Sequence, residues 1–311
     1  MSRGAYSHDP QDTRYATPPR SPRQRPAPRT YTPDSHDQAP DIRGRSQEAE
    51  PRAQHSGRAE RSDSVRAYYV RDRAYLLRGS EIHSLTEIGK FRVIASPDLA
   101  RYEYQGDSDR MEKDVRHLRG QGLVTNKAIE ISRKKSLRIV TLTKAGHRLL
   151  KKANRLSNDQ AIYHGLRKAR EVEHDADLYR LYHKEATRIE RTGGRPLRII
   201  LDYELKKNLN RDLSLLGPDR NNEARKSEVA EKHGLRLVNG KIPVPDLRIE
   251  YESSDLEVRQ VDLELATREY RPKAISEKAA AGFSLYSRPE DASRLRRILD
   301  EREITAGILT L

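Results

Sequence analysis

The chain has 311 residues, a length suited to two ordinary domains. Only 34% are apolar and 35% are charged, with a formal net charge of +14, so much of the chain is expected to be surface or disordered. The absence of cysteine excludes disulfides, zinc ribbons and thiol catalysis. No apolar run is long enough to cross a bilayer and no hydrophobic signal segment opens the chain, so a cytoplasmic protein with no membrane partner is expected.

Residues 1–64 hold no Leu, Val or Phe and a single Ile, Ile42, and they carry 11 Arg and Lys against 9 Asp and Glu. Such a segment buries too little apolar area to offset its ordering entropy, which predicts a disordered tail. Residues 65–155 carry 21 basic against 10 acidic side chains, whereas residues 156–311 carry 29 against 28. The positive excess therefore sits in the middle segment and points to a polyanion-binding face, for nucleic acid or for an acidic protein.

In chain order, residues 66–78 suit a helix closed by Gly79, and Ser84 suits the cap of a second, with Glu87 at the capping-box position. Ser96-Pro97 opens a third. A fourth runs from Asp107-Ser108-Asp109 to Gly120, with Met111, Val115 and Leu118 on one face and Arg110, Lys113, Arg116, His117 and Arg119 on the others. Two strands, 128–131 and 137–142, are joined by a basic turn with Arg133, Lys134 and Lys135, and Thr143 caps a helix bearing Leu149, Leu150 and Ala153.

The phrases Leu118-Arg-Gly-Gln-Gly-Leu-Val124 and Val140-Thr-Leu-Thr-Lys-Ala-Gly146, with this order of elements, resemble the joints of a winged helix over about residues 80–153. The resemblance implies that Arg110, Lys113, Arg116 and Arg119 reach bases or phosphates of double-stranded DNA. It also implies that Arg133, Lys134 and Lys135 grip the backbone from the wing tip. Residues 65–155 are accordingly read as a winged-helix DNA-binding domain. Equally, these charges solvate a helix and a turn in a protein-binding winged helix.

In the C-terminal half a long helix is predicted over residues 160–191, ended by Gly193-Gly194, followed by a buried strand over residues 196–201. Residues 203–233 are helix-prone around Gly217-Pro218, and Asn239-Gly240 marks a turn. Two strand-like runs follow, with Leu247, Ile249 and Tyr251 alternating with Asp246, Arg248 and Glu250 in the first. In the second, Val261, Leu263 and Leu265 alternate with Asp262 and Glu264. Period two sets Asp262 and Glu264 on one face, and a hairpin brings Asp246 near them. Such a cluster suits Mg²⁺ or Mn²⁺, and the same pattern suits a sheet with one wet face. Helices over 272–283 and 289–302 and a last strand over 306–311 complete an α/β layout on a mixed sheet.

Pro245-Asp246 and Asp262-Leu263-Glu264 resemble the acidic motifs of the PD-(D/E)XK, restriction-endonuclease-like fold, with Glu173 as an acidic residue on the leading helix. Residues 156–311 are read as such a domain, making the chain a multidomain α+β protein. The pairing of the two domains is similar to the replication-relaxation family of bacterial plasmids and integrative elements, in which a helix with Lys and then a Tyr follow, as Lys278 and Tyr286 do here. The resemblance implies metal-dependent DNA cleavage with Asp246 and Glu264 as metal ligands, Asp262 assisting, and Lys278 or Lys273 stabilising charge. Position 266, where the motif has lysine, is Ala266. The competing reading is a non-enzymatic regulator whose second domain dimerises or binds a partner; a homodimer fits it.

Overall fold

The structure, a computed structural model, describes residues 64–132, 135–153, 156, 159–166, 171–267, 269–301 and 307–311. The expected tail lies outside them, apart from Ser64, as do Arg133 and Lys134 of the expected wing tip.

Alternation decides the first element. β1 (Val65–Val70) and β2 (Arg73–Arg78) form an antiparallel hairpin closed by Arg71-Asp72, with Tyr75 and Leu77 buried and Leu76 between them exposed. The helix expected over residues 66–78 is therefore a hairpin. Its Tyr, Val and Leu residues favour a pleated, half-buried surface, and period two outweighs the helical reading. Gly79 starts the next helix instead of ending one.

α1 (Gly79–Phe91) begins five residues before the expected Ser84 cap, because Glu81 accepts the Arg78 N–H at 2.8 Å. Ser84 is buried mid-helix and bonds the Tyr104 hydroxyl at 2.7 Å. After β3 (Ile94–Ala95), α2 (Ser96–Glu103) has Pro97 in its first turn, as expected. Asp107 caps α3 (Ser108–Gly120), accepting from the Arg110 N–H at 2.9 Å, and Met111, Val115 and Leu118 are buried. At its far end the Leu123 N–H donates to the Leu118 carbonyl and that of Gly122 to Arg119, with Gly122 at φ 74°. This Schellman turn explains the Gly-Leu-Val phrase.

β4 (Val124–Ser132) and β5 (Lys135–Leu142) pair antiparallel, and β3 adds to β5. The Thr143 hydroxyl accepts the Gly146 N–H at the start of α4 (Lys144–Ala153). A Cβ on Gly146 would lie 2.2 Å from the Leu123 carbonyl oxygen, so close approach demands glycine there. Three helices, a small third strand and a hairpin follow in the order expected of these residues.

The expected long helix shortens to α5 (Val172–Arg191). Ahead of it, the Tyr163 and Gly165 N–H groups donate to Gly89 and Leu142, and Gly165 takes φ 70°. The Gln160 amide bonds both the N–H and the carbonyl of Ile199. Bonds spent outward in this way leave no helical ladder. α5 packs on α1, α2 and β3, and also on strands of the second sheet.

That sheet has five strands in the order β10-β9-β8-β7-β6. β6 (Arg195–Leu201) pairs antiparallel with β7 (Leu247–Glu252), and β7 antiparallel with β8 (Val258–Ala266). β9 (Ser284–Ser287) is parallel to β8, and β10 (Ile308–Thr310) is parallel to β9. α6 (Asp202–Leu215), a 3-10 turn (Gly217–Asn221) and α7 (Glu223–Lys232) separate β6 from β7. α8 (Pro272–Ala280) and α9 (Pro289–Asp300) make the parallel crossovers. The strand expected over residues 235–238 is reduced to one bridge, Val238 with Lys241, across the Asn239-Gly240 turn. No helix among the described residues is long and apolar enough to cross a membrane.

Candidate functional site

Pairing of β7 with β8 sets the site. Arg248 faces Asp262 and Leu247 faces Leu263, so Asp246, one residue before β7, lies beside Glu264 on the same face. The Asp246 N–H donates to Glu264 Oε2 at 3.2 Å, and the Leu265 N–H donates to Asp246 Oδ2 at 2.9 Å. Asp246 also anchors the start of α6, its carbonyl accepting the Asp202 N–H.

Three further side chains converge on the two carboxylates. Lys278, from α8, reaches Glu264 at 2.8 Å and donates to the Val244 carbonyl at 2.6 Å. The Tyr270 hydroxyl donates to Glu264 Oε1 at 2.5 Å. His174, in the first turn of α5, lies with Nε2 3.3 Å from Asp246 Oδ2. Glu264 is fully buried, whereas the Lys278 side chain keeps 19% of its exposure.

The electrostatics separate the two acids. Burial pushes the Glu264 carboxyl up, and the neighbouring Asp246 charge adds to it against Lys278 and Tyr270, bringing it to about 7. Asp246 is held below the carboxylate range: burial opposes its charge, but His174, Lys278 and the Leu265 N–H outweigh it. For His174 burial again opposes charge, and bonds to Asp175 and Asp246 overcome it, raising the imidazole to about 10. Lys206 of α6, bonded to Asp202 at 2.6 Å, is raised too, as Asp202 and then Asp246 and Glu264 outweigh burial.

Of the residues anticipated here, Asp246, Glu264 and Lys278 meet. Asp262 does not join them. Its two oxygens are held by Arg248 at 2.6 and 2.8 Å, and this buried guanidinium also donates to the His233 and Gly234 carbonyls. Glu173 pairs with Lys135 at 2.5 Å and with Arg288 at 3.1 Å. Lys273 is exposed on α8. Tyr286 is buried on β9 with its hydroxyl on Glu185, so Tyr270 is the tyrosine of the cluster. His174, Tyr270 and Lys206 were not anticipated. Their sequence positions carry no shared spacing; chain reversals bring them in.

No protein-family model and no curated protein sequence matches the chain. Among solved structures it is similar to "Crystal structure of Bacillus subtilis PadR in complex with operator DNA", at 13% identity over 49% of this chain and 92% of that chain. The TM-score of 0.20 is too low to fix a fold.

Asp246 and Glu264 supply hard oxygen donors, which fit Mg²⁺ or Mn²⁺. No third His, Asp or Glu among the described residues completes with them a set of ligand atoms all within 4.8 Å of one another. Two carboxylates with the remaining positions left to water and phosphate is a usual arrangement for Mg²⁺.

The basic residues of α3 form a second surface. Arg110, Lys113, Arg116 and Arg119 are all exposed. Lys113, Arg116 and Arg119 make no ion pair with the described residues, while His117 bonds Glu81 at 2.6 Å. Arg138 on β5 pairs with Glu112 of α3 at 3.2 Å, tying the wing to this helix. Lys135, expected at the wing tip as a DNA contact, is occupied by Glu173 of α5.

Proposed function

We propose that the chain binds double-stranded DNA through α3 and its wing and cleaves phosphodiester bonds with a divalent cation held by Asp246 and Glu264. The observation that carries this reading is the meeting of Asp246, Glu264 and Lys278, drawn from three elements, on one face of a sheet. A bound Mg²⁺ or Mn²⁺ would supply Lewis-acid polarisation of a phosphate and a more acidic water. Asp246 keeps its negative charge at neutral pH and is aimed by His174 and the Leu265 N–H. Glu264 sheds its proton near neutrality, so its carboxylate forms where the ligand would need it. Lys278 takes the part of the missing motif lysine from α8, close enough to balance charge on a phosphate. The α3 cations neutralise duplex phosphates, and an α-helix about 10 Å wide fits a major groove about 12 Å wide. On the motif resemblance, we read the activity as one of replication or maintenance of a plasmid or mobile element.

The second reading, a non-enzymatic regulator, is favoured by one observation: Glu264 is already satisfied by Lys278 and Tyr270. Supercoiled plasmid incubated with the chain and Mg²⁺ or Mn²⁺, beside Asp246→Ala and Lys278→Ala, separates the two. Metal-dependent nicking lost in both variants supports cleavage. Duplex binding without nicking under either ion supports the regulator. Nicking that survives Asp246→Ala excludes this site.

A further inference from the structure

A second group of ligating side chains lies inside the winged-helix half, away from Asp246 and Glu264. His83 and Glu87 stand four residues apart on α1, hence on one helix face, and Glu103 closes α2 opposite them. One ligand atom from each lies within 4.8 Å of the other two. His83 Nε2 is 2.7 Å from Glu103 Oε2, and Lys90 Nζ is 2.6 Å from Glu87 Oε1. Both carboxylates are buried, whereas the His83 side chain is 45% exposed and opens the group to solvent.

An independent observation points into the same place. Tyr179 of α5 is fully buried, wedged edge-on against Phe91 and Tyr102, and its hydroxyl has no hydrogen-bond partner. Burial raises the pKa of this hydroxyl, and the charges of Glu103 and then Glu87 raise it further. Buried hydroxyls are ordinarily satisfied, by protein or by ordered water.

We infer that His83, Glu87 and Glu103 form a binding site for one first-row divalent cation, of which Zn²⁺ is the best fit. One imidazole nitrogen and two carboxylate oxygens are a ligand set Zn²⁺ accepts, with a fourth position left for water. Such a water is the partner that Tyr179 lacks. The cation would also relieve the repulsion between two buried carboxylates, with Lys90, itself partly exposed, turning out to solvent. Because α1 and α2 supply the ligands, the ion would clamp two helices that pack on α3. This site does not depend on the proposed cleavage activity.

The test uses the full chain, stripped with chelator, carrying Asp246→Ala so that the sheet site does not bind. Calorimetric titration with Zn²⁺, and Co²⁺ titration followed by visible absorption, are run on this protein and on the same protein with His83→Gln or Glu103→Gln. Circular dichroism checks each fold; His83 is exposed and the Glu103 change is isosteric. One equivalent of Zn²⁺ with intense Co²⁺ bands is expected, weakened at least about tenfold in each variant. Absence of saturable binding in the Asp246→Ala chain, or binding unchanged by either further substitution, overturns the proposal. Loss of plasmid nicking alone leaves it standing.

Discussion

Asp246 and His174 show how a charge pair at one end of a sheet sets the protonation of a whole cluster. His174 has two acidic partners, Asp175 and Asp246, and these hold its imidazole up to about 10, well above the ordinary 6.5. The folded state therefore binds this proton more tightly than the unfolded chain does. Its contribution to stability is fully present below about pH 6.5 and is lost as pH rises through about 10. Glu264, raised to about 7 from 4.5, acts with the same sign over its lower window. The imidazole ¹⁵N shifts of His174 are expected to stay in the charged range at pH 8. A His174→Asn chain is expected to lose less stability between pH 7 and pH 10 than the parent in urea titrations. Neutral-imidazole shifts at pH 8 would remove His174 from the pair. A sequence reading had no route to this residue, since a lone histidine in Glu-Val-Glu-His-Asp lacks a second ligand at helical spacing. Its partner, Asp246, arrives from the residue before β7, 72 residues later. Tyr270 was hidden for the same reason. Asp246 and Glu264 were legible because strand period two fixes faces before any pairing is known, and Asp262 was over-read because that rule cannot tell which acid an arginine on the same face will claim.

At the scale of elements, local chemistry decided what the sequence revealed. The run from Asp107 to Ala153 was legible in detail because its boundaries are set by near neighbours: an Asp cap, a Schellman glycine and a Thr cap. The hairpin of Val65–Arg78 was not, since its strand character depends on burying Tyr75 and Leu77 against distant helices. Residues 160–166 misled for a related reason: their polarity suits a helix, but Gln160 is used by β6 and Tyr163 by α1. The α3 surface rests on the well-specified part. Replacing Lys113, Arg116 and Arg119 together by alanine removes three exposed cations that make no ion pair with the described residues, without touching the buried face, and alanine favours the helix. Duplex affinity is expected to fall, and the slope of log K against log salt to flatten by about 2–3. Fluorescence anisotropy across a salt series reads both. An unchanged slope would mean that α3 does not meet the phosphates.

Across the whole described molecule, α5 is the member that both sheets need. One apolar cluster runs from Leu85, Ile88 and Leu118 through Tyr179 and Leu181 to Ile249, Leu263 and Leu265. Polar joints reinforce it: Arg180 bonds Asp98 of α2, Arg288 bonds Asp177, and Gln160 bridges to β6. A core continuous in this way ties the stability of the three-stranded sheet and its helices to that of the five-stranded sheet, since opening either exposes the same α5 side chains. Tyr179→Ala tests this coupling, because the ring packs on Phe91 and Tyr102 while its helix backs the second sheet. A cost of about 3–5 kcal/mol is expected from the cavity, as for other large aromatic truncations. The informative readout is where the cost appears. Hydrogen exchange should accelerate in β5 and in β7 together, with one thermal transition moving to lower temperature. Acceleration confined to β5, with the amides of β7 unchanged, would show that the two halves open separately and that α5 belongs energetically to the three-stranded sheet and its helices alone.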